Sequence, residues 1–274
     1  MNISAGDSIA ALQARLPLDP LENRILLGHA LGLTRVGLIT QSDRTLTADE
    51  AARLTELLQR RLNGEPIAYI VGEREFYGLP FHVTDAVLIP RPDTELLVEL
   101  AIERLPVRGR VLDMGTGSGA IAVAIAHARP DAVITALDVS AAALELARSN
   151  AERNQVRVEF LRSDWFCALG ADRQFDLIVS NPPYIADGDP HLAGGDLRFE
   201  PVSALTDHAD GLSALRTIAA GARAHLMPGA WLLMEHGYDQ SAAVRALLAH
   251  HQYTEVQSWR DLPGIERVTG GRCA

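Results

Sequence analysis

The segment Val111-Leu112-Asp113-Met114-Gly115-Thr116-Gly117-Ser118-Gly119 constrains this chain more than any other. A short apolar run enters three alternating glycines and continues into the apolar stretch 120–126. Such a strand, sharp turn and helix form one unit of an α/β layer. Glycines let the backbone turn tightly and let another group approach its amides.

The residues after Arg110 repeat that alternation. Strands are predicted at 110–114, 133–138, 156–161, 175–180, 230–235, 253–258 and 265–269, with helices at 120–128, 141–152, 212–225 and 240–250. The pattern predicts a doubly wound sheet. Only residues 259–264 join the last two strands. A parallel crossover needs about a dozen residues, so these two must run antiparallel.

The region before residue 63 reads differently. Helices are predicted at 5–16, 20–32, a short piece after Thr34, and 48–62 with Thr47 as cap. In the last of these Leu54, Leu57, Leu58 and Leu62 give one apolar side, while Arg53, Glu56, Arg60 and Arg61 can face water. A one-sided helix needs a partner, which predicts a small bundle. Gly64 and Pro66 interrupt it, and 67–87 reads as a hairpin or two extended pieces. The expected organisation is a helical domain over 1–63, a hairpin and linker over 64–92, and an α/β body over 93–274 that opens with a helix from Asp93 or Thr94 to Arg104.

Composition narrows the chemistry. The 274 residues are 47% hydrophobic and 22% charged, as in ordinary globular proteins, and no apolar run reaches membrane-spanning length. Cys167 and Cys273 make neither a disulfide framework nor a CxxC pair, so both are expected as reduced thiols in a cytoplasmic protein. All basic residues are arginine, which leaves no lysine for a Schiff base or a Walker loop. The net charge of -10 argues against a stable nucleic-acid partner, since such binding draws on positive charge.

The glycine loop alone admits three readings. Gly115-x-Gly117 suits an S-adenosylmethionine site, Gly115-x-Gly117-x-x-Ala120 suits a nicotinamide or flavin site, and a tight structural turn needs no ligand. Asp138 ends the second strand, where a carboxylate can receive both ribose hydroxyls of either cofactor or cap the helix from Ser140. Asp113 orients the loop or approaches the cofactor's amino group. Asp164-Trp165 follows the third strand, where the carboxylate can accept from an adenine amino group and the indole can pack on the base or into the core.

The fourth strand runs directly into Asn181-Pro182-Pro183-Tyr184. Two prolines remove amide donors, so the Asn181 side chain and the Pro182 carbonyl can serve as outward acceptors. That pair suits an NH2 group. A planar amide or exocyclic amino nitrogen is a poor nucleophile because its lone pair is delocalised; holding both hydrogens helps aim that lone pair at a methyl donor. Tyr184 is expected to stack on the flat group. A dehydrogenase has no use for this second site.

With these motifs in place, the sequence resembles the release factor glutamine N5-methyltransferase family over nearly its whole length. Phe81-His82-Val83, Leu88-Ile89-Pro90-Arg91-Pro92-Asp93-Thr94-Glu95, the Asp113 to Gly119 loop, Asn181-Pro182-Pro183-Tyr184 and Phe199-Glu200-Pro201 occur in the family's order. The block Pro-Arg-Pro-Asp-Thr-Glu discriminates best, because Asn-Pro-Pro-Tyr is shared with adenine N6-methyltransferases. Met114 stands where Leu or Ile is frequent. The resemblance implies a seven-stranded class I methyltransferase sheet with one reversed strand, and transfer of methyl from S-adenosylmethionine to the glutamine of a Gly-Gly-Gln tip. It implies cofactor contacts from Gly115, Thr116, Gly117, Ser118, Gly119, Asp138, Trp165 and Asn181. Substrate contacts fall on Asn181, Pro182, Pro183 and Tyr184, and the catalytic group is Asn181, Pro182 and Tyr184. It also implies that the helical domain recognises the substrate, a bacterial class 1 release factor.

The competing reading is a DNA or RNA adenine N6-methyltransferase, against which the acidic charge weighs. No metal, no membrane and a monomer are expected. Arg91 can pair with the methionine carboxylate of the cofactor, with Glu95 or with a protein substrate, or form a plain surface or interdomain ion pair. The segment 185–207 shows no convincing regular element and is expected to be a substrate-facing lid.

Overall fold

Apolar residues at helical spacing in the first part of the chain can leave water only against each other. In the computed structural model, which describes residues 2–274, they form α1 (Ile9–Arg15), α2 (Pro20–Leu31), α3 (Arg35–Thr40), α4 (Ala48–Leu62) and α5 (Ile67–Val71). Thr47 and Glu50 start α4 with a reciprocal cap: Thr47 Oγ1 accepts from the Glu50 amide at 3.2 Å and Glu50 Oε2 accepts from the Thr47 amide at 2.9 Å. Leu54, Leu57 and Leu58 then join Ile9, Leu12, Leu26 and Leu27 in one core. Leu62, expected on that side, is 51% exposed, because it lies in the last turn beyond the core. Asn23 closes the α1–α2 connection by donating to the Leu16 and Leu18 carbonyls, both at 3.0 Å.

Residues 67–71 were expected to be extended and are helical. Pro66 accepts from the Tyr69 and Ile70 amides. Gly72, at φ +74°, ends the turn in the left-handed region that favours glycine. Ile70 thereby reaches the same core as α4. The chain parts into two units between Gly72 and Glu73. Gly64 and Pro66 therefore mark a bend within the first unit rather than its end.

The second unit starts with an antiparallel hairpin, β1 (Glu73–Phe76) and β2 (Leu79–His82). A 3-10 turn at Pro92–Thr94 leads into α6 (Glu95–Arg104), after which come β3 (Arg110–Met114), α7 (Ala120–Ala128), β4 (Val133–Asp138), α8 (Ala141–Arg153), β5 (Glu159–Arg162) and β6 (Phe175–Ser180). After β6 lie α9 (Val202–Leu205), α10 (Ser213–Ala222), β7 (Leu226–Glu235), α11 (Ser241–His250), β8 (Thr254–Arg260) and β9 (Glu266–Arg272). The fifth of these strands starts later than expected from 156–161. Gln155 is left-handed at φ 57°, and the Val156 amide still bonds to the Ala151 carbonyl, so the chain is closing α8 at that point.

The sheet order is β5-β4-β3-β6-β7-β9-β8, parallel except at β9, which is antiparallel to both its neighbours. Alternate strand residues face opposite ways. Val111, Leu177, Val179 and Leu233 pack with α6 and α7, while Leu112, Ile178, Leu232 and Met234 pack with α10 and α11. This is the class I methyltransferase architecture, with the small helical unit preceding it.

Candidate active site

Strand register builds the site. Leu137, Met114, Ser180 and Met234 stand in one row across β4, β3, β6 and β7. The next residue on each strand is Asp138, Gly115, Asn181 and Glu235, so four strand ends deliver these groups side by side. Strand order reverses between β3 and β6, and ligands of open α/β sheets settle in the crevice at such a switch point. Ser180 fixes the two halves together: its buried hydroxyl donates to the Met114 carbonyl at 2.7 Å.

A cavity of about 470 Å³ lies there, within the usual size range of small-molecule sites. Gly115, Thr116, Gly117, Ser118, Asp138, Trp165, Asn181 and Pro183 line it, as does Asp164. Gly115 and Gly117 hold φ +73° and +53°, and a Cβ built on either would meet no atom within 4 Å. Bare backbone therefore faces the space, with Asp138 on one side and Trp165 in its wall. A hydrogen-bonding backbone cradle, carboxylates for hydroxyl and amino groups, and an aromatic wall suit S-adenosylmethionine. Among the described residues no group of His, Cys, Asp and Glu is arranged to hold a metal ion.

The loop is braced from below. Asp138 Oδ2 accepts the Gly117 amide and Oδ1 the Ser140 amide, both at 2.9 Å, so the carboxylate is held while retaining acceptor capacity. Asp113, fully buried, accepts the Thr116 hydroxyl at 2.6 Å. Burial pushes its carboxyl up to about 7. Asn150, also buried, donates to the Ser118 and His82 carbonyls and accepts the His82 amide, tying α8 and β2 to the loop. The sequence reading passed over Asn150, which carries no motif.

Three expected site residues do not line the cavity. Gly119 is a packing glycine: an added Cβ would stand 3.0 Å from the Ala147 Cβ, so its small size brings α7 against α8. Pro182 is buried and outside the cavity wall. Tyr184 packs among the apolar residues on the α10–α11 side and donates to Glu235 Oε1 at 3.4 Å. Burial and the neighbouring Glu235 raise its phenol well above the ordinary range.

Asn181 Nδ2 donates to Thr94 Oγ1 at 3.2 Å, which turns the amide so that Oδ1 is left for another donor. Thr94 comes from the turn before α6, and Glu235 from the end of β7. Neither was singled out for the site; Thr94 read as a helix cap and Glu235 as a strand end. Glu235 is 1% exposed. Burial, with Asp93 adding to it and Arg267 opposing, pushes its carboxyl up to about 7.

Arg91 does not pair with Glu95 and makes an ion pair within the protein instead. Its guanidinium binds Glu200, whose other oxygen accepts the Ile89 amide at 3.1 Å. Glu95 accepts the Tyr77 amide instead. Burial raises the Glu200 carboxyl and Arg91 pulls it back. The pair clasps the 88–94 block to the end of the 185–207 segment. That segment is more ordered than expected, with 3-10 turns at Pro190–Ala193 and Leu197–Phe199 and the short α9. Its Pro201, Ser203 and Ala204 belong to the cavity wall.

Comparison with known proteins bears on both units. A family profile described as the PrmC N-terminal domain matches residues 8–72, and one described as the methyltransferase small domain matches residues 92–195. A release factor glutamine methyltransferase of Burkholderia pseudomallei is 55% identical over 271 residues, covering 96% of this chain and 95% of its own. That of Neisseria gonorrhoeae is 53% identical over 256 residues, covering 93% and 94%. Among solved structures, a methyltransferase from Pyrococcus furiosus superposes with a TM-score of 0.56 at 19% identity, over 80% of this chain and 99% of that one, a likeness of fold.

Proposed function

We infer the activity from a plain premise: the chain belongs to the release factor glutamine methyltransferase family, which its relatives cover almost end to end. It transfers a methyl group from S-adenosylmethionine to the side-chain nitrogen of the glutamine in the Gly-Gly-Gln motif of bacterial class 1 release factors. The bound cofactor supplies an electrophilic methyl on a sulfonium. Everything else is asked of this chain's own residues.

We assign the cofactor to the loop Gly115 to Ser118, with Asp138 at the ribose and Trp165 along the base. The substrate glutamine falls to Asn181-Pro182-Pro183-Tyr184. Asn181 Oδ1 and the Pro182 carbonyl accept the two amide hydrogens and aim the nitrogen lone pair across the switch point. Tyr184 anchors the end of that turn, its hydroxyl on Glu235 and its carbonyl accepting from Gln240 Nε2. The observation that carries this reading is the register row, which places the bare glycine loop and Asn181 on adjacent strand ends. Acceptors already fixed in place need no rearrangement as charge shifts in the transition state.

Incubation of the protein with labelled S-adenosylmethionine and a release factor is expected to label one peptide, with the methyl on the Gly-Gly-Gln glutamine by fragmentation mass spectrometry. A methyl on another side chain, or label in nucleic acid alone, would defeat the assignment. We further propose that the helical unit supplies the wider footprint a protein substrate needs. Removal of residues 1–72 should then weaken use of the intact release factor while a calorimetric titration with S-adenosylmethionine stays close to wild type. No helix among the described residues is long and apolar enough to cross a membrane, and we place the enzyme in the cytoplasm with its substrate.

A further inference from the structure

The Glu200 side chain is wholly buried, yet it lines no part of the cofactor cavity. It is bonded to the chain on both sides of that cavity instead. Leu88, Pro90 and Arg91 belong to one wall, and Pro201, Ser203 and Ala204 to another. The first wall lies between β2 and the turn before α6 and holds no helix or strand of its own. The second is the short α9 with the proline before it, at the end of a long excursion from β6.

The carboxylate meets two donors. Oε1 takes the Arg91 guanidinium, and Oε2 takes the Ile89 amide at 3.1 Å. A carboxylate has two accepting oxygens and serves both at once. An amide of the same shape has one oxygen and must turn its NH2 toward one of the donors. Pro201 follows Glu200 directly in the chain, and the Ile185 amide donates to the Leu205 carbonyl at 2.9 Å. Residues 201–204 are thus tethered at both ends, to the first wall through Glu200 and to the residue after Tyr184 through Leu205. Arg91 lines both the cofactor cavity and a second hollow beside Pro190 and Leu197. The stretch that Glu200 secures is therefore a partition between the two spaces.

We propose that Glu200 is a positioning residue for the cofactor: through Arg91 and the Ile89 amide it holds two cavity walls together, and so keeps S-adenosylmethionine in place until the methyl is transferred. The proposal rests on the assignment of the cofactor to this cavity. Because Glu200 lines no part of that cavity, its loss is read in how fast cofactor exchanges rather than in the methyl-transfer step. A hydrogen bond to an ionised group is stronger than one between neutral groups, and removal of one partner leaves the other buried without its match. Changes in affinity from such contacts appear chiefly as faster dissociation.

The experiment follows release of bound, methyl-labelled S-adenosylmethionine from the intact chain into an excess of unlabelled cofactor. In parallel, kcat is measured at saturating cofactor and release factor. A dissociation rate does not depend on how much of a preparation is folded, so a loss of stability alone leaves it unmoved. Glu200→Gln should release cofactor about tenfold faster, the size expected for one lost charge-assisted hydrogen bond, without a fall in saturated kcat. Arg91→Met should act in the same direction, and Arg91→Lys should return most of the loss because the charge is kept. The double variant Arg91→Met with Glu200→Gln should be no faster than Glu200→Gln, since both changes break one clasp. If Glu200→Gln does not fold, Arg91→Met decides with 5′-methylthioadenosine as a second probe. That molecule has no amino-acid carboxylate, so weaker binding to Arg91→Met supports an action on the wall, and unchanged binding overturns it. Wild-type release from a folded Glu200→Gln, a lower kcat with release unchanged, or rate increases that multiply in the double variant also overturn the proposal. Gly117→Val separates it from the assignment beneath it. If that variant binds cofactor as wild type does, the cofactor lies elsewhere; if it binds weakly while Glu200→Gln and Arg91→Met release at the wild-type rate, the cavity stands and the clasp fails.

Discussion

The two sides of the switch-point crevice are built in opposite ways. On the β3–β4 side the cavity is walled by main chain: Gly115 and Gly117 present bare backbone, and the polar groups below it come from Asp113, Thr116 and Asp138, close in sequence or on the neighbouring strand end. On the β6–β7 side the working groups are side chains from segments far apart, as Asn181 is held by Thr94 and Tyr184 meets Glu235. Under the proposed assignment the first side recognises by shape and backbone polarity, and the second by the orientation of one amide. Strain on the first side should therefore appear as lost cofactor binding, and damage on the second as lost turnover.

The largest test of that contrast is Asn181→Ala. Loss of an acceptor used chiefly in the transition state corresponds to roughly 2 to 4 kcal/mol, or about 30- to 1000-fold in kcat. Stopped-time assays at saturating substrates should show it, with calorimetric S-adenosylmethionine affinity nearly unchanged. A large affinity loss with normal kcat would make Asn181 a cofactor holder and erase the division between the sides.

Gly117→Val is the counterpart on the loop. A β-branched residue at φ +53° costs roughly 1 to 3 kcal/mol of strain, and its side chain would enter the cavity space. The expected result is about 5- to 150-fold weaker S-adenosylmethionine binding, with kcat recovered in part when the cofactor is raised to saturation. Unchanged affinity would show that the loop does not face the ligand.

Asp113→Asn sharpens the comparison at smaller scale by asking whether the loop's brace needs charge. The Asp113 carboxyl is pushed from its ordinary 3.8 up to about 7, so between those values the folded protein holds the proton more tightly than the unfolded chain. Stability from this group is full below the unfolded value and declines as pH rises towards 7. Asn keeps an acceptor for Thr116 without a charge to bury. Denaturant unfolding of cofactor-free protein should find the variant more stable by about 1 to 3 kcal/mol near pH 8, and by less near pH 5.5. A less stable variant at pH 8 would mean that the ionised carboxylate does the bracing.

The same contrast explains what could be read from the residues in order. The loop, the acid after the second strand and the four-residue turn after the fourth are contiguous words whose spacing follows from strand and turn geometry. The reversed last strand followed from a connection too short for a crossover. Helix α4 was legible because its cap lies within four residues of it. Where local signals were weak or shared, tertiary contacts decided: Ile70 made 67–71 helical by reaching the bundle core, and Gln155 delayed the strand after α8.

The sequence by itself determined the α/β class, the glycine loop and the Asn-Pro-Pro-Tyr turn after the fourth strand of the body, because each is written by neighbours in the chain. Only the tertiary structure decided that Gly119 serves helix packing, that Arg91 clasps Glu200 over 109 positions, and that Thr94 and Glu235 stand around Asn181 and Tyr184. Those pairings arise from strand register and layer packing. A register step places residues side by side in space with no trace in their sequence separation, so the partner of a buried polar group is known only when the sheet has formed.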